Sequence, residues 1–258
     1  MREGLKRYVR TGQTYFPLLS DIKANMQIKL SKITHRPFEA DFGALRLFGG
    51  KRLLYLDVGA NRGQSIAAIR LVTADPQIVS FEPNPRLAAA LTDQFEGVPD
   101  VRIEPVGLGA REGAFDLHVP SYQKYTFDGL ASFNREDAMS WLNQQTIVRF
   151  KPEKLSCQTI NCQIKTLDSF ELAPFFVKLD VQGHELSALM GGSETLRRYT
   201  PVLMIEAPGQ GVVDYLRQSG YRPYVYHDRR HRLIAGLGGQ NTFFMTGDKS
   251  EMVSNLLE

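Results

Sequence analysis

The stretch Leu53-Leu54-Tyr55-Leu56-Asp57-Val58-Gly59-Ala60-Asn61-Arg62-Gly63-Gln64-Ser65 decides how the rest of the chain is read. An apolar run closes on an acid, two glycines bracket a short turn, and a helix-compatible segment follows. That order predicts a buried strand over 53–58, a tight turn and a helix over 64–73. Open parallel sheets use this unit to present backbone N–H groups and one carboxylate to a nucleoside-containing cofactor. Gly59 and Gly63 lack a Cβ, so the backbone can bend sharply and approach a ligand closely. No glycine stands two places after Gly59, so the G-x-G-x-x-G fingerprint of dinucleotide sites is missing. A cofactor without a pyrophosphate suits this loop better, and S-adenosyl-L-methionine is the candidate.

A second acid supports that reading. Ile78-Val79-Ser80-Phe81-Glu82-Pro83-Asn84-Pro85 is a short apolar strand ending on Glu82 and stopped by two prolines. Glu82 follows Gly59 at nearly the spacing, roughly 20 residues, that places an acid on a ribose in a βαβ nucleotide site.

Together these runs resemble the FkbM-type methyltransferases. So do Thr166-Leu167-Asp168, Val177-Lys178-Leu179-Asp180-Val181-Gln182-Gly183-His184-Glu185, and Glu206 at the end of Pro201-Val202-Leu203-Met204-Ile205-Glu206. The resemblance covers residues 51 to 247 in four ordered motifs. It implies a class I S-adenosylmethionine-dependent methyltransferase: an α/β Rossmann-like sheet, mostly parallel with a reversed last strand, and helices on both faces. Such enzymes usually act on a hydroxyl oxygen of a sugar or polyketide. On this footing the candidate cofactor-binding residues are Asp57, Gly59, Asn61, Gly63, Ser65, Glu82, Asn84 and Gly107. Asp180, His184 and Glu206 are the candidate catalytic residues, and Ser132 and Glu185 the candidate substrate contacts. One departure stands out: many members carry Glu where this chain has Gln182, and a neutral amide cannot be a base.

The composition is that of an ordinary globular chain. Its 258 residues, 43% hydrophobic and 23% charged, suffice for one well-buried α/β domain with appendages. A net charge of +3 gives no case for a nucleic-acid partner, which would demand a concentrated basic stripe. Cys157 and Cys162 match neither C-x-x-C nor a zinc set, so both read as ordinary strand positions. No run reaches the roughly 18 to 20 apolar residues of a membrane span. Arg2, Lys6, Arg7 and Arg10 are not followed by the apolar core of a signal peptide. Cytoplasmic residence is expected, with contact to the inner membrane face as an alternative.

Residues 1–50 are expected to form one or two helices. Leu18, Leu19, Ile22, Met26, Ile28, Leu30 and Ile33 interleave there with Lys23, Lys29 and Lys32. Packing on the sheet edge, a lid over the substrate, and a basic amphipathic contact with a membrane are all compatible with that pattern. Residues 51–258 form the expected methyltransferase domain. Strands over 77–82 and 101–104 flank a helix over 85–95, an alternation that predicts parallel strands and right-handed crossovers. A substrate-side insertion at 105–165 breaks the rhythm, with strands expected over 114–119 and 158–164 and a helix over 134–142. Its Tyr122, Tyr125, Phe127, Phe133 and Trp141 can stack on a sugar or simply hold the loop down. Strands are then expected over 175–180, 202–206, 221–226 and 242–245, with helices over 185–198 and 211–219.

Ligands of open α/β sheets bind beyond the carboxyl ends of the strands, so Asp57, Glu82, Asp180 and Glu206 are expected along one rim. A sugar hydroxyl is a poor nucleophile at neutral pH and calls for a general base. Asp180, His184, Glu185 and Glu206 are the candidates; a histidine at a helix start is equally read as structural. Carboxylates this close can also hold Mg²⁺ or Ca²⁺, though nothing in the sequence demands a metal. A small-molecule or glycolipid acceptor is the expected partner. The alternatives are a catalytically inactive cofactor-binding scaffold, for which Gln182 speaks, and a nicotinamide-dependent oxidoreductase, against which the missing glycine speaks.

Overall fold

A computed structural model describes residues 3–257; Met1, Arg2 and Glu258, which the expected segment boundaries and basic N-terminus include, lie outside the described residues. Two helices lead, α1 (Glu3–Gln13) and α2 (Leu19–Thr34), then a 3-10 turn over Ala40–Leu47. The α/β alternation follows as β1 (Leu54–Val58), α3 (Gln64–Val72), β2 (Gln77–Phe81), α4 (Pro85–Gln94) and β3 (Val101–Glu104). The insertion contributes β4 (Gly107–Leu108), β5 (Gly113–Tyr122), β6 (Tyr125–Thr126), α5 (Arg135–Ser140) and β7 (Leu155–Lys165). The core resumes with β8 (Phe176–Leu179), α6 (Glu185–Met190), α7 (Ser193–Tyr199), β9 (Val202–Glu206) and α8 (Gln210–Gln218). It ends on β10 (Arg222–His227), β11 (Arg232–Ala235), β12 (Asn241–Met245) and α9 (Gly247–Glu251).

Eight strands form the main sheet in the order β11-β10-β12-β9-β8-β1-β2-β3. β3, β2, β1, β8 and β9 run parallel, while β12 is antiparallel to both β9 and β10. The fold is therefore the class I methyltransferase sheet with its reversed strand, and the reversed strand is β12. Chain order turns at β1: β2 and β3 lie to one side, β8 and β9 to the other. That switch point is where an open sheet leaves a crevice.

Burial on both faces explains the near-continuous apolar strands. Side chains alternate across a strand, so Tyr55, Met204 and Phe243 enter one core with Ile66 and Ile69 of α3 and Phe42 of the 3-10 turn. Leu56, Leu203 and Phe244 enter the other with Leu189, Leu196 and Leu216 of α6, α7 and α8. The same alternation sends Asp57 inward, with Ser80 and Lys178 as its register partners on the neighbouring strands.

Four elements differ from the sequence expectation. The helix expected over 185–198 is two helices, parted at the Gly191-Gly192 pair, a residue type poorly suited to a helix interior; a Cβ at Gly191 would lie 1.9 Å from the Gly109 carbonyl oxygen of the insertion. The insertion is a second sheet, β4-β7-β5-β6, in which β5 and β7 pair over ten residues. The expected helix over 134–142 shrinks to α5, which Asn134 caps by accepting from the Glu136 and Asp137 N–H groups. Finally β11, unforeseen, pairs with β10 at the sheet edge. Cys157 and Cys162 both lie on β7 and are free thiols; five residues apart on a strand, they point to opposite faces.

Candidate functional site

The glycine turn after β1 is clamped between β2 and β8. Gly59 and Ala60 donate backbone N–H groups to the Phe81 carbonyl, and the Asp180 N–H donates to Val58. Gly59 has φ +90°, and a Cβ there would stand 2.0 Å from the Asp180 carbonyl oxygen. Two strand ends approach each other across a gap that admits no side chain, so glycine is required.

Glu82 is set by this turn. Its Oε2 accepts the Asn61 N–H at 2.8 Å and its Oε1 accepts the Asn84 N–H at 2.9 Å. Asn84 in turn caps α4 through the Arg86 N–H, with Pro85 as the first helical residue, the arrangement Pro favours. Each carboxylate oxygen keeps further acceptor capacity, and Glu82 walls a cavity. Burial raises its pKa to about 7 against the pull of those two N–H groups. Asp57 is fully buried with neither oxygen in a hydrogen bond. Burial raises it to about 6, opposed by Lys178 and the neighbouring Ser65 and Ser80 hydroxyls.

Sequence reasoning missed Lys178. Its ammonium is buried on β8, 3.2 Å from Asp180 Oδ2. Burial pulls its pKa down, but Asp180, Asp57 and Glu39 more than offset this and hold it above its ordinary value. Burial would push Asp180 up; Lys178, Glu206 and Gln182 together bring it below its usual range. The Gln182 side-chain amide donates to Asp180 Oδ1 at 2.8 Å. Glu206 goes the other way, raised by burial and then by the Asp180 charge. The pair thus favours an ionised Asp180 beside a protonated Glu206. An apolar-looking lysine in Phe175-Phe176-Val177-Lys178-Leu179 was the available signal, since a cation inside a two-faced strand needs partners.

Three neighbouring cavities, partly open to solvent, share Asp180. The first, about 660 Å³, lies between Gly59, Phe81, Glu82, Pro83, Gly107, Leu108 and Phe133. The second, about 760 Å³, lies between Gly59, Ser65, Glu39, Lys178, Gln27 and Tyr125. The third, about 930 Å³, lies between Gln182, Glu185, Glu206 and Gly209.

A roof is tied onto this rim by charge. Arg62 donates to Asp21 of α2 and to Asp128 of the insertion, both at 2.6 Å, and Arg86 of α4 reaches the same Asp128 at 3.1 Å. Asp128 is buried, so removing it would strand guanidinium charge away from water, a larger loss than breaking a surface pair. Lys124 N–H donates to the Thr14 carbonyl, and Val148 N–H to the Thr11 hydroxyl, fixing the α1–α2 turn to the insertion. Most insertion aromatics hold the roof together: Tyr122 stacks on Phe150 at 5.1 Å, and Arg10 covers Trp141. Phe133 and Tyr125 alone among those five named aromatics border the cavities.

The rim gathers Gly59, Asn61, Ser65, Glu82, Gly107, Asp180, Glu185 and Glu206 around the cavities. Five of the sequence candidates stand back from the walls. Asp57 lies beneath the turn; Gly63, at φ 78°, starts α3; and Asn84 caps α4. Ser132 donates to the Gln182 carbonyl and accepts from the Asn134 N–H, joining roof to rim. His184 precedes α6 as expected, but its ring lies 4.7 Å from Phe133 and burial lowers its pKa. Glu185, though at a wall, spends Oε1 on the Val181 and Gly183 N–H groups and braces the loop.

Known proteins are similar to this chain in sequence and, more loosely, in fold. A family model described as the methyltransferase FkbM domain matches residues 57–223. A curated relative, 2-O-methyltransferase NoeI of Sinorhizobium fredii (strain NBRC 101917 / NGR234), is 27% identical over 146 residues. That match covers 55% of this chain and 58% of the relative, so the chain spans little more than half of that protein. Among solved structures, methyltransferase FkbM from Methylobacillus flagellatus KT is similar over 75% of this chain and 43% of that one, at 17% identity and a TM-score of 0.47. Aeropyrum pernix fibrillarin, solved with natively bound S-adenosyl-L-methionine, is similar over 79% and 73%, at 12% identity and a TM-score of 0.40. With its model matching more than half of the residues, the chain belongs to the methyltransferase FkbM domain family.

Proposed function

We propose that this protein is an S-adenosyl-L-methionine-dependent O-methyltransferase whose acceptor is a hydroxyl of a sugar in a glycan, glycolipid or related secondary metabolite. The observation that carries the cofactor assignment is the charge balance of the rim: Asp57, Asp180 and Glu39 surround one buried ammonium, Lys178. An acid-rich crevice favours a cationic ligand and opposes a pyrophosphate. The relative's name, a 2-O-methyltransferase, supports an oxygen acceptor.

The residues present fit the cofactor. Glu82 can accept from ribose hydroxyls, Phe81, Pro83, Leu108 and Phe133 offer apolar faces to a base, and the Gly59 turn leaves room for close approach. Bound there, S-adenosyl-L-methionine supplies an electrophilic methyl group on a sulfonium. Asp180, ionised and bordering all three cavities, is placed to take the proton of an acceptor hydroxyl. Lys178 and Gln182 keep its carboxylate charged and oriented. Glu206, protonated, leaves Asp180 as the carboxylate of the pair that is free to accept a proton. Asp57 acts as a positioning residue under the turn.

A transfer assay with tritium-labelled methyl groups tests this on a panel of oligosaccharides and glycolipids. Label in alkali-stable ethers on sugar oxygen is expected. Label confined to amines or carboxyl esters would overturn the assignment.

A further inference from the structure

Among the described residues, the outer face of α2 stands out as an exposed apolar stripe. Leu18, Ile22, Met26, Leu30 and Ile33 succeed one another at steps of four, four, four and three residues, which stacks them on one helix face. All five are exposed, Leu18 to 66% and Ile33 to 75%. Tyr15 and Phe16, at the turn before α2, and Tyr8 and Val9 of α1 are exposed as well. The opposite face of α2 is the buried one, where Ala24 and Ser31 pack inward. Apolar surface this continuous marks an interaction site.

Charge identifies the partner. Residues 1–36 hold eight Lys and Arg against two acids, a net +6, whereas the whole chain is +3, leaving −3 on the remainder. Lys23 and Lys32 flank the stripe at helical spacing, Lys29 rises within it, and all three are exposed. The only acid of α2, Asp21, is occupied with Arg62. An apolar stripe edged by lysines, with aromatic residues at its end, has the composition of a helix lying in the plane of an anionic bilayer. A second copy of the chain on this face would set the lysines against their equivalents, a like-charge contact.

We infer that α2 docks this protein on anionic lipid headgroups, with Ile22, Met26, Leu30 and Ile33 entering the interface. The same helix walls the second cavity through Lys23, Ala24 and Gln27, opposite Gly59 and Asp180. The inference stands on the surface of α2 and not on the identity of the acceptor.

Flotation of the full chain with vesicles tests it, using equal parts phosphatidylcholine and phosphatidylglycerol against phosphatidylcholine alone. Binding to the anionic vesicles only, released by high salt, is expected. An Ile22→Ser/Met26→Ser/Leu30→Ser variant should bind at least about tenfold more weakly. A Lys29→Gln/Lys32→Gln variant should lose about 25-fold, because each of the two basic residues near such a surface contributes roughly a fivefold factor. Circular dichroism confirms that each variant is folded, and the lysine pair, wholly exposed, keeps the test decisive where the apolar variant fails to fold. No binding of wild type to anionic vesicles overturns the inference. So does a dimer in sedimentation velocity that the apolar variant dissolves while vesicle binding is unchanged.

Discussion

The two sheets of this protein are built under opposite conditions, and the site lies where they meet. The eight-stranded sheet is covered on both faces, so its central strands are buried almost without interruption. The four-stranded sheet is half exposed, and β7 alternates between buried and open positions. The covered sheet supplies Gly59, Glu82, Asp180 and Glu206. The open one supplies Gly107, Asp128, Ser132 and Phe133, fastened by the Arg62 and Arg86 ion pairs. The division assigns chemistry to the rim and access to the roof, and each variant below separates those two roles.

Asp180→Asn should have the largest effect. Removing the proposed base is expected to lower kcat by about 10²–10⁴, with S-adenosylhomocysteine affinity changed less than about tenfold; steady-state kinetics beside calorimetry read both. Equal losses in binding and rate would move Asp180 from base to binding residue.

Asp128→Asn strikes the roof. It leaves Arg62, whose side chain is 12% exposed, without its buried anion, at a cost of about 3 kcal/mol. Urea unfolding measures it. An unchanged midpoint would show that roof and rim are not coupled.

Asp57→Asn tests the rim in the opposite sense, because its folded pKa is raised to about 6 from 3.8. Such a group binds its proton more tightly when folded. Its stabilising contribution is complete below pH 3.8 and is lost as pH rises through 6. The neutral amide should therefore stabilise the cofactor-free protein at pH 8 by on the order of 3 kcal/mol, with no gain near pH 3. Melting curves at the two pH values decide it. A destabilising effect at pH 8 would mean that the ionised carboxylate is structurally required.

The smallest effect is expected at His184. Its ring rests on Phe133 rather than at a cavity wall, so His184→Ala should leave kcat within about threefold, far below the 10² of a lost general base.

The same contrast explains what the sequence reveals. The Asp57–Gly63 turn and the Glu82 strand end are legible because strand, glycine and acid are consecutive. That the strands run parallel follows from their alternation with helices, whereas the reversed last strand is implied only by the family resemblance. Lys178 was passed over because its role exists only between strands: Asp57 and Asp180 become its neighbours through pairing, not through local sequence. Gly191 must be glycine because of Gly109, far away in the chain, which no periodicity encodes. The ten-residue β5–β7 pairing escaped for the same reason, as its polar open face blurs the alternation. His184 carried a catalytic-looking context, yet its ring turns to an aromatic of the roof that cannot be placed from sequence.

The claim on which all this rests is that the crevice at β1 holds S-adenosyl-L-methionine through Glu82. Isothermal titration with S-adenosylhomocysteine tests it most directly, on wild type and on Glu82→Gln. Micromolar binding by wild type is expected, weakened at least about tenfold in the variant, the value of one charge-assisted hydrogen bond. Absence of heat with wild type, or equal affinity in the two proteins, would contradict it.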